Sequence, residues 1–300
     1  MFNKFDAFID DLDTIRLCLV CNWCSSKELV AVYSKMSQDN RGRWNNIQIV
    51  PLDDNSADYY VVLNAAELNI RIDPGKVFVF QMEPNMAQQP EVWGFWAKPE
   101  RVRLFDHKTV YNNVEWHLSL TYSQLMHNEI KKDSSLNTNL STVLSAKCGD
   151  PGHKLRLEFA RFLDQKVPQL LHVFGTNLGY NNYKGSLPYH CKDNGLLPYK
   201  YTFNAENNSI HNYFTEKLVD GILAECLVFY WGCPNVADYI DERAFVYINL
   251  EDKGGAAKTI ERAINEDWWS QRILYIRAAK RKILNELQFF PRMERIIKSI

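Results

Sequence analysis

The chain predicts an α/β fold of two domains, each a largely parallel sheet with helices between its strands. Three observations carry this. Short apolar or β-branched runs alternate with amphipathic stretches, the alternation occurs twice, and a polar segment divides the two series. At 300 residues the chain is long for one core and suits two.

The elements follow in order. IRLCLVCNW (15–23) reads as a strand, and SSKELVAVYSKM (25–36) as a helix capped by Ser25 or Ser26. IQIVPL (47–52), ADYYVVLNA (57–65) and KVFVFQM (76–82) are short strands with turn signals between them. EPNMAQQPEVWGFWA (83–97) is a loop running into a short helix, and 101–125 carries no clear period. HNEIKKDSSLNTN (127–139) is polar and reads as the interdomain linker, placing the domains at 1–135 and 136–300. The second series then runs LSTVLSA (140–146) strand, HKLRLEFARFL (153–163) helix and LLHVFG (170–175) strand, followed by a polar loop. YKYTFNAEN (199–207), CLVFYWG (226–232) and 245–250 are strands, FTEKLVDGILAE (214–225) is a helix, and 258–290 is continuously helical.

Composition excludes several classes. A formal net charge of −1 argues against a dedicated nucleic-acid binder. No apolar run approaches the ~18 residues a membrane span needs. The first residues carry acids where a secretory leader carries bases, so a soluble, cytoplasmic protein is expected. The seven cysteines are expected as free thiols. Cys18, Cys21 and Cys24 form C-x2-C-x2-C, a pattern that invites a metal or cluster. On a strand, however, Cys18 and Cys21 face opposite sides, so they read as small buried side chains.

Candidate chemistry lies at the carboxyl ends of strands, where parallel sheets bind ligands. Glu206 and Asn207 end one strand, and Thr215, Glu216 and Lys217 open the next helix. A helix N-terminus favours an anion, so a lysine in its first turn is misplaced for stability and well placed for phosphate. The alternatives are a solvated pair and, for Glu216, a cap shared with Asn212 or Tyr213. Glu83 follows a fully apolar strand and precedes Pro84, the position of a catalytic carboxylate or of a helix cap. His211 lies in the loop beside the Thr-Glu-Lys triplet. The acids Asp10, Asp11 and Asp13 precede the first strand, at the wrong end for a metal site, and Asp53 and Asp54 form a further pair. The chain has no Walker, G-x-G-x-x-G, H-E-x-x-H or G-x-S-x-G motif.

Residues 200–249 resemble the donor-binding part of glycosyltransferase family 10, the α1,3-fucosyltransferases. That family's pattern runs Y-K-F-x-x-x-F-E-N-S, a short loop, Y-x-T-E-K, an apolar helix, and a strand and turn of the type I-Y-W-G-S-P. This chain reads YKYTFNAENNS, YFTEKLVDGIL, CLVFYWGCPNVADYI and RAFVYINLED. STVLSAKCGDPGHKLRLEFARFL (141–163) and VFVFQMEPN (77–85) are also similar to family segments.

The resemblance implies a GT-B type fold, two Rossmann-like domains facing across a cleft. It implies an inverting, metal-independent transfer of a sugar, fucose in the family, from a nucleotide-sugar donor to a glycan acceptor. Glu83 matches the family's general base. Glu206, Asn207, Tyr213, Glu216 and Lys217 match positions lining the donor pocket, with Lys217 and helix-start N–H groups meeting the leaving diphosphate. One departure stands out. Where the family commonly has an Arg after the V-Y-G strand, this chain has Thr176; Lys154, Arg156 or Lys184 would have to supply the charge. A donor other than GDP-fucose, such as UDP-xylose or UDP-galactose, is therefore an alternative, as is a non-catalytic binding protein. The loop 176–198, with Asn181, Asn182, Tyr183 and Tyr189, is where donor selectivity is expected to differ. The basic C-terminal helices are expected to pack back on the first domain, the alternative being peripheral contact with an anionic membrane.

Overall fold

The computed structural model describes residues 14–65, 72–83, 102–111 and 113–300. Asp10, Asp11 and Asp13, and the short helix expected within 83–97, lie outside the described residues. The chain divides into two compact units.

The first unit comprises residues 1–106, 121–123 and 289–300. Its sheet has the order β2-β3-β1-β4-β5-β6. The strands are β1 (Ile15–Cys21), β2 (Arg43–Trp44), β3 (Ile47–Val50), β4 (Tyr59–Leu63), β5 (Val77–Phe80) and β6 (Arg103–Phe105). All pairs are parallel except β2–β3. Leu17, Cys18, Leu19 and Val20 are consecutive and all buried, as a parallel strand covered on both faces requires. Helix α1 (Ser26–Ser34) begins at a capping box in which Ser25 and Glu28 satisfy each other's backbone N–H. A short helix α2 (Tyr122–His127) follows β6.

The last helix of the chain, α8 (Phe289–Lys298), belongs to this first unit. Phe289 packs edge-on to Tyr33 and Phe290 stacks on Trp44. Full burial of each ring contributes about 1.5–3 kcal/mol. Glu294 accepts hydrogen bonds from Trp44 Nε1 at 3.2 Å and Asn45 Nδ2 at 3.0 Å.

The second unit comprises residues 107–120 and 124–288. Its all-parallel sheet has the order β12-β11-β10-β7-β8-β9. The strands are β7 (Leu140–Leu144), β8 (Leu171–Gly175), β9 (Tyr183–Gly185), β10 (Tyr201–Ala205), β11 (Leu227–Trp231) and β12 (Phe245–Tyr247). The helices are α3 (Pro151–Lys166), α4 (Asp193–Leu196), α5 (Glu216–Leu223), α6 (Lys253–Asn265) and α7 (Trp268–Lys282).

The structure departs from the sequence-based expectations at three places. The division falls at 106/107, and the polar stretch 127–139 lies inside the second unit. There Lys132 donates to Leu197 O at 3.2 Å and to Ala224 O, at the carboxyl end of α5, at 2.6 Å. A cation so placed satisfies a helix-end carbonyl, which explains why a polar segment packs here. The helix expected over 258–290 is broken at Asp267, which turns left-handed (φ 47°) and caps α7 by accepting from Ser270. It is broken again at Gln288, where the backbone extends after a π turn at Ile283–Leu287.

The third concerns the basic C-terminal helices: α8 joins the first unit, but α7 belongs to the second. Several of their charges are paired within the protein, while Arg281, Arg295 and Lys298 are exposed. Arg277 pairs with Glu225 at 3.0 Å and Glu129 at 2.8 Å, and Lys280 pairs with Glu225 at 2.8 Å. Arg272 donates to Phe245 O, and Arg292 lies over the rings of Phe80 and Phe105. Among the described residues no helix is long and apolar enough to cross a membrane.

Candidate active site

In the second sheet the strand order reverses between β7 and β10, since β8 and β9 extend one way and β11 and β12 the other. Ligands of open parallel sheets bind at such a reversal, outside the carboxyl ends of the strands. The residues that follow β7 and β10 here are Ser145 and Glu206.

Helix α3 delivers its side chains to this point because of Gly152. Gly152 N donates to Asn207 O at 3.0 Å, and a Cβ there would stand 2.2 Å from Glu206 O. Only glycine lets the first turn of α3 rest on the backbone that leaves β10. Arg156 lies one turn further along the same face. Its guanidinium is buried and donates to Ser145 Oγ at 3.0 Å and Asn207 Oδ1 at 3.4 Å. Its Nε is buried without a hydrogen-bond partner. Burial pulls its pKa down, against the fields of Glu216 and Glu206.

Glu206 is fully buried beneath the start of α5. It accepts from Thr215 N at 2.9 Å, Thr215 Oγ1 at 2.7 Å and Tyr230 OH at 3.3 Å. Burial pushes its pKa up, countered by Lys217 at 3.7 Å. Thr215 is the N-cap of α5 and accepts from Lys217 N at 3.3 Å. Glu206 thus holds the start of α5 in place. The N–H groups of Thr215 and Lys217 are taken up by Glu206 and Thr215, and Lys217 and Lys192 add positive charge at this edge.

Glu216 and Lys217 project from the capped turn. Lys217 Nζ lies 3.1 Å from Glu216 Oε1 and 3.3 Å from Thr215 Oγ1. A second cation, Lys192, stands 3.5 Å from Glu216 and 2.7 Å from Asp220, whose other oxygen accepts from His117 N at 2.7 Å. Burial opposes ionisation of Glu216, but Lys217 and Lys192 outweigh it and hold its pKa well below the usual carboxylate range. Burial also opposes the charge of Lys192, and Asp220 and Glu216 outweigh it, raising its pKa. Three cations thus face three carboxylates here, and Lys192 and Lys217 keep 18% and 20% of their side chains exposed.

A pH-dependent stability follows. A carboxylate whose pKa is depressed by folding adds stability above its unfolded pKa and loses it as pH falls through the folded value. Glu216→Gln is expected to cost about 1–3 kcal/mol at neutral pH. The gap from the parent should close as pH falls below 4.5. Paired denaturant titrations across pH check this; a gap independent of pH would rule it out.

The remaining expected residues fall as follows. Asn207 meets Arg156, as above. Tyr213 is buried with its ring edge-on to His107 at 4.9 Å. Thr176 is exposed at the end of β8, its N–H donating to Leu144 O. Lys154 and Lys184 are exposed and His211 faces solvent, whereas Arg156 is buried and donates to Ser145, which follows the Leu144 whose carbonyl accepts from Thr176 N. In the loop 176–198, Asn181 binds Asp164, Asn182 donates to Pro168 O and Tyr183 to Gly175 O. Those three side chains hold the loop, while Tyr189 is exposed. Glu83, in the first unit, is exposed three residues beyond β5, past the carboxyl edge of its own sheet. Among the described residues no cluster of three or more His, Cys, Asp and Glu is placed to hold a metal.

Sequence reasoning missed Lys192, Asp220 and Ser145. Thr215 as the cap was signalled by Thr immediately before an apolar helical run. Lys192 sits in an aperiodic loop 24 residues before Glu216, and no local pattern joins them.

No family model matches the chain. It is 30% identical over 130 residues to the α-(1,3)-fucosyltransferase FucT of Helicobacter pylori, covering 40% of this chain and 27% of that relative's length. In fold it is similar to an α1,3-fucosyltransferase crystal structure at TM-score 0.51 and 15% identity, covering 89% of this chain and 82% of the other. It is also similar to an α-glucosyltransferase in complex with UDP and a 13-mer DNA, at TM-score 0.60 and 10% identity, covering 95% and 99%. The chain is thus fucosyltransferase-like in sequence over part of its length, and its two parallel-sheet α/β units are of GT-B type.

Proposed function

We propose that this chain is an inverting, metal-independent glycosyltransferase of fucosyltransferase type. It would move a sugar from a nucleotide-sugar donor to a glycan hydroxyl. The observation that carries this is the pairing of Lys217 and Lys192 with Glu216, with buried Arg156 in the field of Glu216 and bonded to Asn207, where the second sheet's strand order reverses. The partial sequence match to FucT supports it.

In this mechanism Glu83 takes the proton of the acceptor hydroxyl as that oxygen attacks the anomeric carbon. The bond from that carbon to the diphosphate breaks with inversion. The departing oxygen gains negative charge, and preorganised cations lower the barrier by meeting it. Lys217, with 20% of its side chain exposed, takes this task. Arg156 replaces the family arginine that Thr176 lacks, approaching from α3. Glu206 and Thr215 keep the turn bearing Lys217 in place.

A UDP-sugar donor is the second reading, favoured by Thr176 and by the UDP bound to the α-glucosyltransferase of similar fold. A screen of GDP- and UDP-sugars by thermal shift tests both. A donor at a hundred times its Kd should add about 2.7 kcal/mol of apparent stability. Failure of every GDP- and UDP-sugar to raise Tm would sink the proposal. Transfer to a glycan that continues in chelator, with the product's anomeric configuration read by NMR, tests metal independence and inversion. Donor binding without transfer or hydrolysis would favour a binding protein.

A further inference from the structure

The C-x2-C-x2-C motif at the end of β1 is not used by the chemistry above. Cys18 is buried in the sheet, hydrogen-bonded with Ser26, and burial pushes its thiol up to about 11. Cys21 and Cys24 differ from it. Both are half-buried rather than sealed, and their sulfurs are 3.4 Å apart. Cys21 Sγ also lies 3.5 Å from Cys24 O. Cys21 is the last residue of β1, paired with Leu63 of β4, and Cys24 directly precedes the Ser25 cap of α1. The turn between them carries Trp23, which is 42% exposed, so this end of the sheet is open to small solutes. The interior expected for these cysteines from sequence holds for Cys18 alone.

We propose that Cys21 and Cys24 form a reversible intramolecular disulfide by exchange with a small disulfide of the glutathione class. The sulfurs are in van der Waals contact, and a bond at about 2.05 Å requires closure of little more than about an ångström. One thiolate attacks the small disulfide, forming a mixed disulfide and releasing one small thiolate. The neighbouring thiolate then attacks the protein sulfur of that mixed disulfide and releases the second. The two protons lost by the cysteines end on the two released thiols. The protein pair is oxidised by two electrons and the small disulfide is reduced by two. Contact between the sulfurs makes the second step outrun attack by a free thiol. Glu28, which closes the α1 cap beside Cys24, adds no help to a thiolate. The bond would lock the turn joining β1 to α1, at the carboxyl edge where the first sheet's order reverses between β1 and β4.

The test needs no glycosyltransfer. The full chain is incubated with glutathione disulfide, unfolded, alkylated and digested with trypsin. Peptide 17–27 holds all three cysteines of the motif. A Cys21–Cys24 bond leaves one alkyl group, on Cys18, and no glutathione on that peptide; prior dithiothreitol restores three. Exposed Cys148 is the internal control and should retain glutathione, having no partner thiol in reach to displace it. In Cys24→Ser, and reciprocally in Cys21→Ser, the remaining thiol should hold a stable glutathione adduct. A fully alkylated peptide 17–27, a lasting adduct in the parent chain, or a bond to Cys18 would each overturn the proposal.

Discussion

Glu83→Gln is expected to lower turnover by about 10²–10⁴-fold, the usual contribution of a positioned base, with donor affinity unchanged. The amide keeps the size of the carboxylate and cannot take a proton. Glu83 stands past the carboxyl edge of the first unit's sheet, whereas the cluster of Lys217, Lys192 and Arg156 proposed to meet the donor is built within the second unit. The two readouts therefore separate. Turnover measured with saturating donor reports the base, and calorimetry with the nucleoside diphosphate reports the cluster. Glu83→Ala supplies a second arm, because a small carboxylate such as formate should restore part of the rate by entering the vacated volume. If Glu83→Gln turns over like the parent, Glu83 is not the base. If it loses donor affinity as well, its role is not confined to the proton.

How much of this was legible in the sequence differs by residue. Thr215, Glu216 and Lys217 were legible because a helix start is a local feature, with its cap, acid and lysine adjacent. The role of Glu206 was not. It lies nine positions before Thr215, and only the fold of the intervening loop brings its carboxylate under the cap. Asn212 anchors that loop from a left-handed backbone, donating to His107 O at 2.8 Å and accepting from Tyr239 OH at 2.6 Å. Lys192 reaches Glu216 and Asp220 through contacts 24 and 28 residues away, which no periodicity encodes.

The fold shows the same division. The central strands of both sheets are written in consecutive apolar residues, but the short edge strands β2, β6 and β9 are not. The unit boundary is not, because an exposed polar stretch need not be a linker: 127–139 is tied into the second unit by Lys132, which bonds helix-end carbonyls. Likewise the break at Asp267 hides within a strongly helical pattern, although Asp267 directly before Trp268 is an N-cap residue type.

Lys217→Ala is expected to reduce turnover by about 10²–10³-fold, as loss of a group that meets developing charge does, and to weaken nucleoside diphosphate binding. A purely structural lysine would also cost stability, so the discriminating quantity is selectivity among ligands. If Lys217 meets the diphosphate, its loss should penalise the nucleoside diphosphate and leave the nucleoside alone unaffected. Equal losses for both would assign Lys217 to the scaffold of α5 instead. Arg156→Gln should show the same selective loss, because glutamine can still bond Ser145 or Asn207 but brings no charge. The two substitutions should not add, since both act on one ligand group. A pH signature accompanies the first. Lys217 is what pulls the buried Glu206 carboxyl down against its burial, so its removal lets that pKa rise further. An acid whose folded pKa lies above its unfolded value adds stability at low pH and loses it as pH rises through the folded value. Relative to the parent, Lys217→Ala should therefore lose more stability at neutral pH than under mildly acidic conditions. The sense is the same as for Glu216→Gln, whose gap also closes in acid, and only the cause differs: there a native carboxylate is protonated, here protonation relieves a buried charge left without its cation.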